Sequence, residues 1–578
     1  MMPAEHATGG DRNYEVIAKR LHGELADSPL YILAGDANMK LIHACMWEGM
    51  RCLSARHENA AVSMAVGYAK GSGLVGVAST TQGPGLTNAA TSIVAAVRSR
   101  LPVVLLCGAA PGSVPDHPQQ LDQTRFLEAC GALVLSAGDG VDPGTLVSRA
   151  LETARTQRTL VAVSMPSDWQ ERAPSNVHMV PVTGTSPGMD VEAAEVLGDT
   201  ATQDQVEKIA SSLLAAERSL ILVGRGAVNS ESAMRDLHAV AERTGSIVAT
   251  TLPCHGAWGE CPRAVGVIGG YALPEAHAMF KELDIVLAVG ASLGYRTTKY
   301  GSLFGEATEI VQVDHAETSL GRYTPVSSSV LSDSGGFAEA LRKTIEARAH
   351  PGSGYDWGIA TGKFLSQARS GVIDSKGGTE SGESKGEAQW HPSDLMRALG
   401  SVLPTNRAIV VDGGHCSGYP PIYLDVPDGK AFYYSLEFGS IALGLGAAMG
   451  MAVARPDLIT TLVIGDGSLM MSLGELESAA RQKIPILVVL IDDGGYGAER
   501  HILHLNGLTS EEISDFDNPE FVPLARALGV HAMNVSSKMD MSRFLDQWLA
   551  ENSGRPGLMV CNSDPAVRGE WLSLALDR

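Results

Sequence analysis

The sequence predicts an α/β protein made of three domains, each built on a doubly wound parallel sheet. Short apolar runs typical of buried strands alternate with segments of helical periodicity along most of the chain. Two stretches rich in glycine, serine and acidic residues, 175–204 and 371–390, interrupt this alternation. We therefore expect domains at 11–175, 205–350 and 391–572, with residues 371–390 as a flexible linker. The chain has 578 residues, enough for about three domains of ordinary size.

Strand, turn and helix follow one another in each predicted domain. The predicted strands are 30–34, 75–79 and 103–107 in the first domain, 219–224, 247–251, 285–289 and 309–313 in the second, and 408–411, 458–464 and 486–491 in the third. The predicted helices include 60–70, 89–98 and 230–244. Residues 521–560 are expected to add one more helix, strand and helix.

Composition narrows the class of protein. The net charge of −21 argues against nucleic acid or an anionic membrane as a partner, although a local basic site could still hold an anionic substrate. The eight cysteines form no CxxC pair, which favours reduced thiols and a cytoplasmic location. No charged and apolar leader is visible, and no apolar run reaches about 18 residues, so we expect neither secretion nor membrane spanning.

The strongest functional pattern lies in the segment 463–497. The tetrapeptide GDGS at 465–468 follows one predicted buried strand, and DDGG at 492–495 follows the next. A βαβ unit places both strand ends at one edge of a parallel sheet, so Asp466 and Asp493 should lie close together. Two carboxylates, a backbone carbonyl and the hydroxyl of Ser468 suit a hard divalent cation that also holds phosphate oxygens. An ordinary crossover with two turn aspartates is the simpler alternative.

This segment resembles the thiamine diphosphate signature, in which GDG is followed about 25 residues later by Asn-Asn. The resemblance implies Mg²⁺ bound by Asp466, Asp493 and the carbonyl of Gly495. It also implies that the cofactor diphosphate contacts the turn and the residues next to it, namely Gly465, Gly467, Ser468 and Tyr496. The chain departs from the pattern because it has Asp-Asp in place of Asn-Asn, which would add negative charge beside the diphosphate.

Two motifs in the first domain extend the resemblance. The sequences RHENAA at 56–61 and TQGPGLTNA at 81–89 are similar to the pyrimidine-binding domain of the acetolactate synthase and benzoylformate decarboxylase superfamily. The resemblance implies that Glu58 is the catalytic acid that hydrogen-bonds N1′ of the aminopyrimidine. It places Gly83 and Pro84 at the cofactor. Taken alone, Glu58 could instead be a carboxylate that complements a helix N-terminus.

Further site residues follow from the same resemblance. Gly414 and His415 would contact the diphosphate, and the Ser440-Ile441 segment would hold the cofactor in a V shape through the bulky Ile441 side chain. In relatives the central domain sometimes binds FAD or ADP. Here its glycine turns at 224–227 and 290–293 specify little, so FAD is possible but not favoured. Candidate substrate residues, in loops that would approach the pocket, are Gln120, Gln123, Glu499 and His501.

The resemblance implies a thiamine diphosphate- and Mg²⁺-dependent lyase or transferase, a decarboxylase or carboligase that acts on a small 2-oxo acid or aldehyde. Two alternatives stay open: a 2-hydroxyacyl-CoA or oxalyl-CoA lyase, and a non-catalytic paralogue. The absence of a C-terminal extension that could cover coenzyme A weakens the first alternative. Relatives assemble their site from two chains, so a homodimer or homotetramer is expected.

Overall fold

Three sheets flanked by helices make up the protein, as a computed structural model shows, and the predicted fold class is confirmed. The structure describes residues 10–25, 27–174, 182–183, 201–348, 356–371, 389–551 and 554–573. One sheet falls within each predicted domain, except that the last strand of the first sheet, Val182–Thr183, lies in the stretch 175–204 predicted to separate two domains. The domain boundaries themselves stay predictions. Most of the stretches 175–204 and 371–390 lies outside the described residues.

The first sheet has seven strands in the order β2-β1-β3-β4-β6-β5-β7. Its strands are β1 (Leu30–Ile32), β2 (Cys52–Ser54), β3 (Gly76–Thr80), β4 (Val103–Ala109), β5 (Leu133–Ser136), β6 (Leu160–Pro166) and β7 (Val182–Thr183). Its helices are α1 (Asn13–Leu25), α2 (Met39–Trp47), α3 (Glu58–Ser72), α4 (Pro84–Thr87), α5 (Ala90–Ser99), α6 (Gln123–Ala129), α7 (Pro143–Gln157) and α8 (Ser167–Gln170). The sheet is parallel except at its edge, where the two-residue β7 pairs antiparallel with β5.

The central sheet is parallel, with six strands in the order β10-β9-β8-β11-β12-β13. Its strands are β8 (Ser219–Val223), β9 (Ile247–Thr250), β10 (Ala264–Val267), β11 (Ile285–Val289), β12 (Glu309–Asp314) and β13 (Ser328–Leu331). Its helices are α9 (Gln203–Ala215), α10 (Arg225–Val228), α11 (Glu231–Thr244), α12 (His277–Phe280), α13 (Tyr295–Thr298), α14 (Ser334–Arg348) and α15 (Trp357–Arg369). Helix α9 begins where it does because Thr202 and Gln205 form a capping box.

Close packing explains the two glycine turns of the central domain. A Cβ atom on Gly224 would lie 2.2 Å from the carbonyl oxygen of Gly290, and one on Gly290 would lie 2.4 Å from the amide nitrogen of Ala227. The turns that follow β8 and β11 therefore touch backbone to backbone, which requires glycine.

The third sheet is also parallel, with six strands in the order β15-β14-β16-β17-β19-β18. Its strands are β14 (Arg407–Val411), β15 (Phe432–Tyr434), β16 (Ile459–Gly465), β17 (Ile486–Asp492), β18 (His531–Asn534) and β19 (Gly557–Asn562). Its helices are α16 (Pro392–Val402), α17 (Tyr419–Tyr423), α18 (Gly444–Ala454), α19 (Asp466–Ser472), α20 (Gly474–Gln482), α21 (Gly497–Leu505), α22 (Phe521–Ala527), α23 (Lys538–Glu551) and α24 (Glu570–Ser573).

The prediction for residues 521–560 was wrong in one respect. These residues supply helix, strand and helix as expected, but they also supply β19, which lies between β17 and β18. Strand β19 is buried and apolar over most of its length, and a short run of this kind does not reveal its conformation by periodicity.

Helices α3 and α18 cross closely and join the first domain to the third. A Cβ atom on Gly67 would lie 2.0 Å from the carbonyl oxygen of Ala447, and one on Gly450 would lie 1.9 Å from that of Met64. Both helices are buried along most of their length, and their apolar residues belong to one continuous core. The crossing therefore depends on glycine at the points of contact.

No helix among the described residues is both long and apolar enough to cross a membrane. The eight cysteines are all unpaired.

Candidate active site

A cleft opens at the carboxyl ends of β14, β16 and β17 in the third domain. It brings together most residues that the sequence predicts for the diphosphate and the metal. The lining residues are Gly413, Gly414, His415, Cys416, Ile441, Gly465, Asp466, Gly467, Ser468, Ile491, Asp493, Gly495, Tyr496, Gly497, Ala498 and Glu499. The two predicted turns are thus neighbours, because adjacent parallel strands end at one edge of the sheet.

Asp466 is the first residue of α19 and is 1% exposed. Its Oδ2 accepts hydrogen bonds from the backbone N–H of Gly495, at 2.7 Å, and from the side-chain amide of Asn518. The same amide donates to Oδ1 of Asp492 at 2.9 Å. Burial raises the pKa of Asp466 to about 7; the Asn518 hydrogen bond opposes the rise, and the charges of Asp493 and Asp492 add to it. The carboxylate therefore lies in a site with excess negative charge.

Asp493 faces the same cleft from the end of β17. Its Oδ2 lies 3.3 Å from Nδ1 of His415 and 3.9 Å from Nη1 of Arg500. The Nε2 atom of His415 accepts from the backbone N–H of Gly569 at 3.3 Å. In the neutral tautomer that this contact indicates, the proton is on Nδ1 and is donated to Asp493.

Asp412 joins three turns around the cleft and was not identified from the sequence. It is fully buried, and its carboxylate accepts from the hydroxyl of Ser468, from that of Ser435 at 2.9 Å and from the backbone N–H of Ala442 at 3.1 Å. Ala442 has a positive φ of 70°. These hydrogen bonds stabilise a backbone that alanine seldom adopts, directly after Ile441. A polar residue at the end of the buried strand β14 was the available signal.

Tyr496 packs against the turn that carries Asp466. A Cβ atom on Gly467 would lie 2.5 Å from the Tyr496 ring, so glycine is required there. The ring meets Phe516 edge to face, with 4.8 Å between centroids, and the Tyr496 backbone N–H donates to Ser514 at 2.7 Å. Ser440, in contrast, does not line the cleft, and its hydroxyl donates to the carbonyl of Ile441 at 2.9 Å.

The two motifs of the first domain meet at Glu58. This residue is the first of α3 and is 7% exposed. Its Oε2 accepts from the side-chain amide of Asn88 at 3.1 Å, and its Oε1 would lie 3.4 Å from a Cβ atom on Gly85. Gly83 has a φ of +55°, and Pro84 begins α4. Glu58, Gly83 and Pro84 do not line the third-domain cleft, so the predicted site residues fall into two separate groups. We call the group around Glu58 the first half-site and the cleft the second.

The loop at 116–123 approaches this first half-site through a residue that was not predicted. Gln119 accepts from the side-chain amide of Gln82 at 2.7 Å, and its backbone carbonyl lies against Gly83. The predicted Gln120 is exposed. Gln123 is buried, and it accepts from the Gly83 backbone N–H at 3.2 Å and donates to the carbonyl of Gly108 at 3.0 Å. Gln123 therefore supports the glycine turn.

Glu475 connects the two half-sites within one chain. It lies on α20 and is 2% exposed, and its Oε1 accepts from the backbone N–H groups of Arg56 and His57, each at 2.9 Å. The residues immediately before Glu58 are thus held by the domain that carries the cleft. Nothing local in the sequence indicates this contact, since more than 400 residues separate the partners.

The other predicted substrate residues lie in different surroundings. Glu499 lines the same cleft as Asp493, and its contact with substrate stays a prediction. His501 does not line it: the ring is 5% exposed and lies 4.6 Å from the His415 ring. Its Nε2 atom has no hydrogen-bond partner among the described residues, and burial lowers its pKa to about 4.

The donor set of the cleft fits a divalent cation that also binds phosphate oxygens. Burial and the charges of Asp493 and Asp492 raise the pKa of Asp466, and a bound cation would compensate this excess of negative charge. Carboxylate and carbonyl oxygens are the ligands that Mg²⁺ prefers. No group of three or more His, Cys, Asp or Glu side chains forms a metal site in the described part of the chain. The proposed ligands are compatible with this result, because they comprise two carboxylates and one backbone carbonyl, with further positions left for phosphate and water.

Comparison with known families gives matches along the chain. Three domain models for thiamine pyrophosphate enzymes match it: the N-terminal TPP binding domain at residues 12–126, the central domain at 206–341 and the C-terminal TPP binding domain at 412–561. The two TPP binding domains contain the two half-sites described above.

Individual relatives are distant but similar over their whole length. The chain is 26% identical over 569 residues to a probable acetolactate synthase of Mycobacterium bovis, covering 96% of each chain. It is 26% identical over 546 residues to the acetolactate synthase isozyme 2 large subunit of Escherichia coli, covering 92% of each. Among solved structures, a thiamine diphosphate-dependent 4-hydroxybenzoylformate decarboxylase of Rhodococcus jostii superposes with a TM-score of 0.74 at 21% identity, covering 96% of this chain and 99% of that one.

Proposed function

Since this chain belongs to the thiamine pyrophosphate enzyme family, we propose that it is a thiamine diphosphate- and Mg²⁺-dependent decarboxylase or carboligase of the acetolactate synthase type. Its substrate would be a small 2-oxo acid or an aldehyde. The observation that carries the proposal is the presence of both half-sites in one chain, with Glu58 in the first and the carboxylates of Asp466 and Asp493 in the second.

When bound, thiamine diphosphate supplies a nucleophilic carbon and the electron sink for cleavage or formation of a bond next to a carbonyl. Glu58 would hold a proton at N1′ of the aminopyrimidine, in a buried position that limits exchange with water. Asp466, Asp493 and the Gly495 carbonyl would hold Mg²⁺ against the diphosphate. Ile441, fixed by the hydrogen bonds to its neighbour Ala442, would support the bent cofactor.

Glu499 is the substrate-contact residue that we retain. It lines the cleft, whereas Gln120 is exposed and the Gln123 side chain forms hydrogen bonds with the backbone of its own domain. Which 2-oxo acid or aldehyde binds depends on loops that the family signature does not specify. We also keep the prediction of a cytoplasmic location, which rests on the cysteine pattern of the sequence.

A substrate panel tests the activity. Purified protein with thiamine diphosphate and Mg²⁺ is assayed with 2-oxo acids, alone and with aldehydes, for CO₂ release and acyloin formation. Glu58→Gln is the matched control, since it keeps the shape of the side chain and removes the acid. Cleavage of a 2-hydroxyacyl-CoA or oxalyl-CoA but of no 2-oxo acid would support the lyase alternative. A protein that binds the cofactor but does not exchange its C2 proton would be a non-catalytic paralogue.

We further propose that the working site forms between two chains, in a homodimer or a homotetramer. The first half-site of one chain would face the cleft of another, so that a twofold axis creates two equivalent sites. Mixing Glu58→Gln chains with Asp466→Ala chains should restore part of the activity, because one interface in the mixed dimer has both halves intact. Confirmed subunit exchange with no recovery would show that the site is built within one chain.

A further inference from the structure

The guanidinium group of Arg500 is a buried cation beside Asp493. Asp493 is the aspartate that stands in place of the usual asparagine in the turn 492–495, called the metal turn below. Arg500 on α21 is 6% exposed, and its Nη1 is 3.9 Å from Oδ2 of Asp493. Its Nε donates to Oδ1 of Asp515 at 2.7 Å. Among the residues that the structure describes, two basic side chains lie within 4.0 Å of the Asp493 carboxylate, those of Arg500 and His415.

Of these two basic groups, Arg500 supplies the fixed charge. His415 accepts a backbone N–H at Nε2, so it can donate from Nδ1 to Asp493 while remaining neutral. A guanidinium group stays protonated in proteins, so Arg500 brings a positive charge to this edge of the cleft. Since both groups are about nine-tenths buried or more, water screens their attraction only weakly.

The guanidinium is also held in place from its other side. Asp515, which accepts from Nε, belongs to a segment that pairs with the metal turn itself: Gly495 forms a bridge with Asp515, and the Phe516 backbone N–H donates to Gly494 at 3.0 Å. Asp515 is 38% exposed in its side chain, so solvent shares the neutralisation of its charge. Arg500 is therefore oriented by Asp515 and remains available as the charge partner of Asp493.

We propose that Arg500 is the internal counter-cation of Asp493, and that it makes an aspartate acceptable at a metal turn that must also accommodate a diphosphate. Without this cation, the Asp493 charge would add to those of Asp466 and Asp492 and repel the diphosphate. With it, the turn keeps an anionic oxygen for the metal while the surplus charge is neutralised. The inference rests on the metal role proposed above, and it assigns Arg500 a positioning and electrostatic role.

A double-mutant cycle tests the pairing. The variants are Arg500→Gln, Asp493→Asn and the combination of both, with Asp515→Asn as a control that keeps the hydrogen-bond acceptor of the guanidinium and removes its charge. Calorimetry measures thiamine diphosphate affinity at saturating Mg²⁺, and Mg²⁺ affinity at saturating thiamine diphosphate. We expect Arg500→Gln to weaken thiamine diphosphate binding by about tenfold in the wild-type background and by less than about threefold in the Asp493→Asn background. Mg²⁺ binding should not weaken, because the site loses a nearby positive charge. Asp515→Asn should weaken binding by less than about threefold.

Each outcome decides the proposal. An equal loss on Arg500→Gln in both backgrounds would show that Arg500 acts independently of Asp493 and would overturn it. If Arg500→Gln does not fold, the comparison of Asp493→Asn with the double variant decides, and a loss above about threefold there is again a refutation. Arg500→Lys, which keeps the charge, should bind better than Arg500→Gln. Asp466→Ala distinguishes failure of the proposed metal site from failure of the Arg500 pairing. Unchanged Mg²⁺ and thiamine diphosphate affinity in that variant would refute the metal site itself, whatever the double-mutant cycle shows.

Discussion

Replacing Asp466 with asparagine should stabilise the cofactor-free protein at alkaline pH. The folded protein holds this carboxyl with a pKa of about 7, against an ordinary value of 3.8. Between these two pH values the folded state keeps a proton that the unfolded state has released, so stability falls as the pH rises from about 4 to about 7. A difference of about three pKa units corresponds to about 4 kcal/mol lost by pH 8, at about 1.4 kcal/mol per unit.

Asparagine carries no charge, so it avoids this loss. Its oxygen can accept from Gly495 and Asn518 as the carboxylate does, while the other carboxylate oxygen gives up an acceptor position worth about 1 kcal/mol. We expect Asp466→Asn to be more stable than wild type by about 3 kcal/mol at pH 8 and to differ little from it at pH 5. Urea unfolding in the presence of EDTA, monitored by tryptophan fluorescence, measures the free energy of unfolding of both proteins at pH 5 and pH 8. A variant that is less stable at pH 8, or equally shifted at both pH values, would refute the reasoning.

Three other substitutions test contacts on which the site depends. Glu475→Ala should leave two partly buried backbone N–H groups without acceptors, lowering stability by about 2 kcal/mol and slowing C2–H/D exchange of bound cofactor. Glu475→Gln should recover most of both, and full activity in the alanine variant would contradict the role. Gly67→Val places a side chain against the carbonyl of Ala447 and should cost about 3 kcal/mol, measurable as a lower urea midpoint; an unchanged midpoint would mean that the crossing can open. Asp412→Ala should weaken cofactor affinity by about tenfold with retained secondary structure, because three turns lose a common acceptor; calorimetry and circular dichroism together check this.

Much of the fold and the cleft could be predicted from the sequence, for a physical reason. Buried parallel strands appear as apolar runs, and their carboxyl ends meet at one edge, so the turns at 465–468 and 492–495 had to be neighbours. Predicted strand ends differ from the observed ones by one or two residues. The β19 strand was missed because so short an apolar run has no diagnostic period.

The residues that sequence reasoning missed act through contacts between distant segments. Asn518 bridges two carboxylates from a loop far beyond the signature, and Glu475 reaches across to another domain. Neither contact leaves a local pattern, since polar residues in such positions look like ordinary surface residues. In the loop near the first half-site, Gln119 contacts Gln82 while the adjacent Gln120 is exposed, and only the backbone path of the loop distinguishes them.

The close crossing of α3 and α18 has a consequence for how the protein loses its structure. Because the two helices meet backbone to backbone and share one continuous core, neither the first nor the third sheet can detach without exposing the other. The apolar face of the central sheet packed by α9, α11 and α14 forms a core of its own. The face of the first sheet packed by α1, α2 and α7 also forms a core of its own. Hydrogen exchange should therefore show a common opening free energy along α3 and α18, while the separately packed faces of the first and central sheets can open at lower free energy.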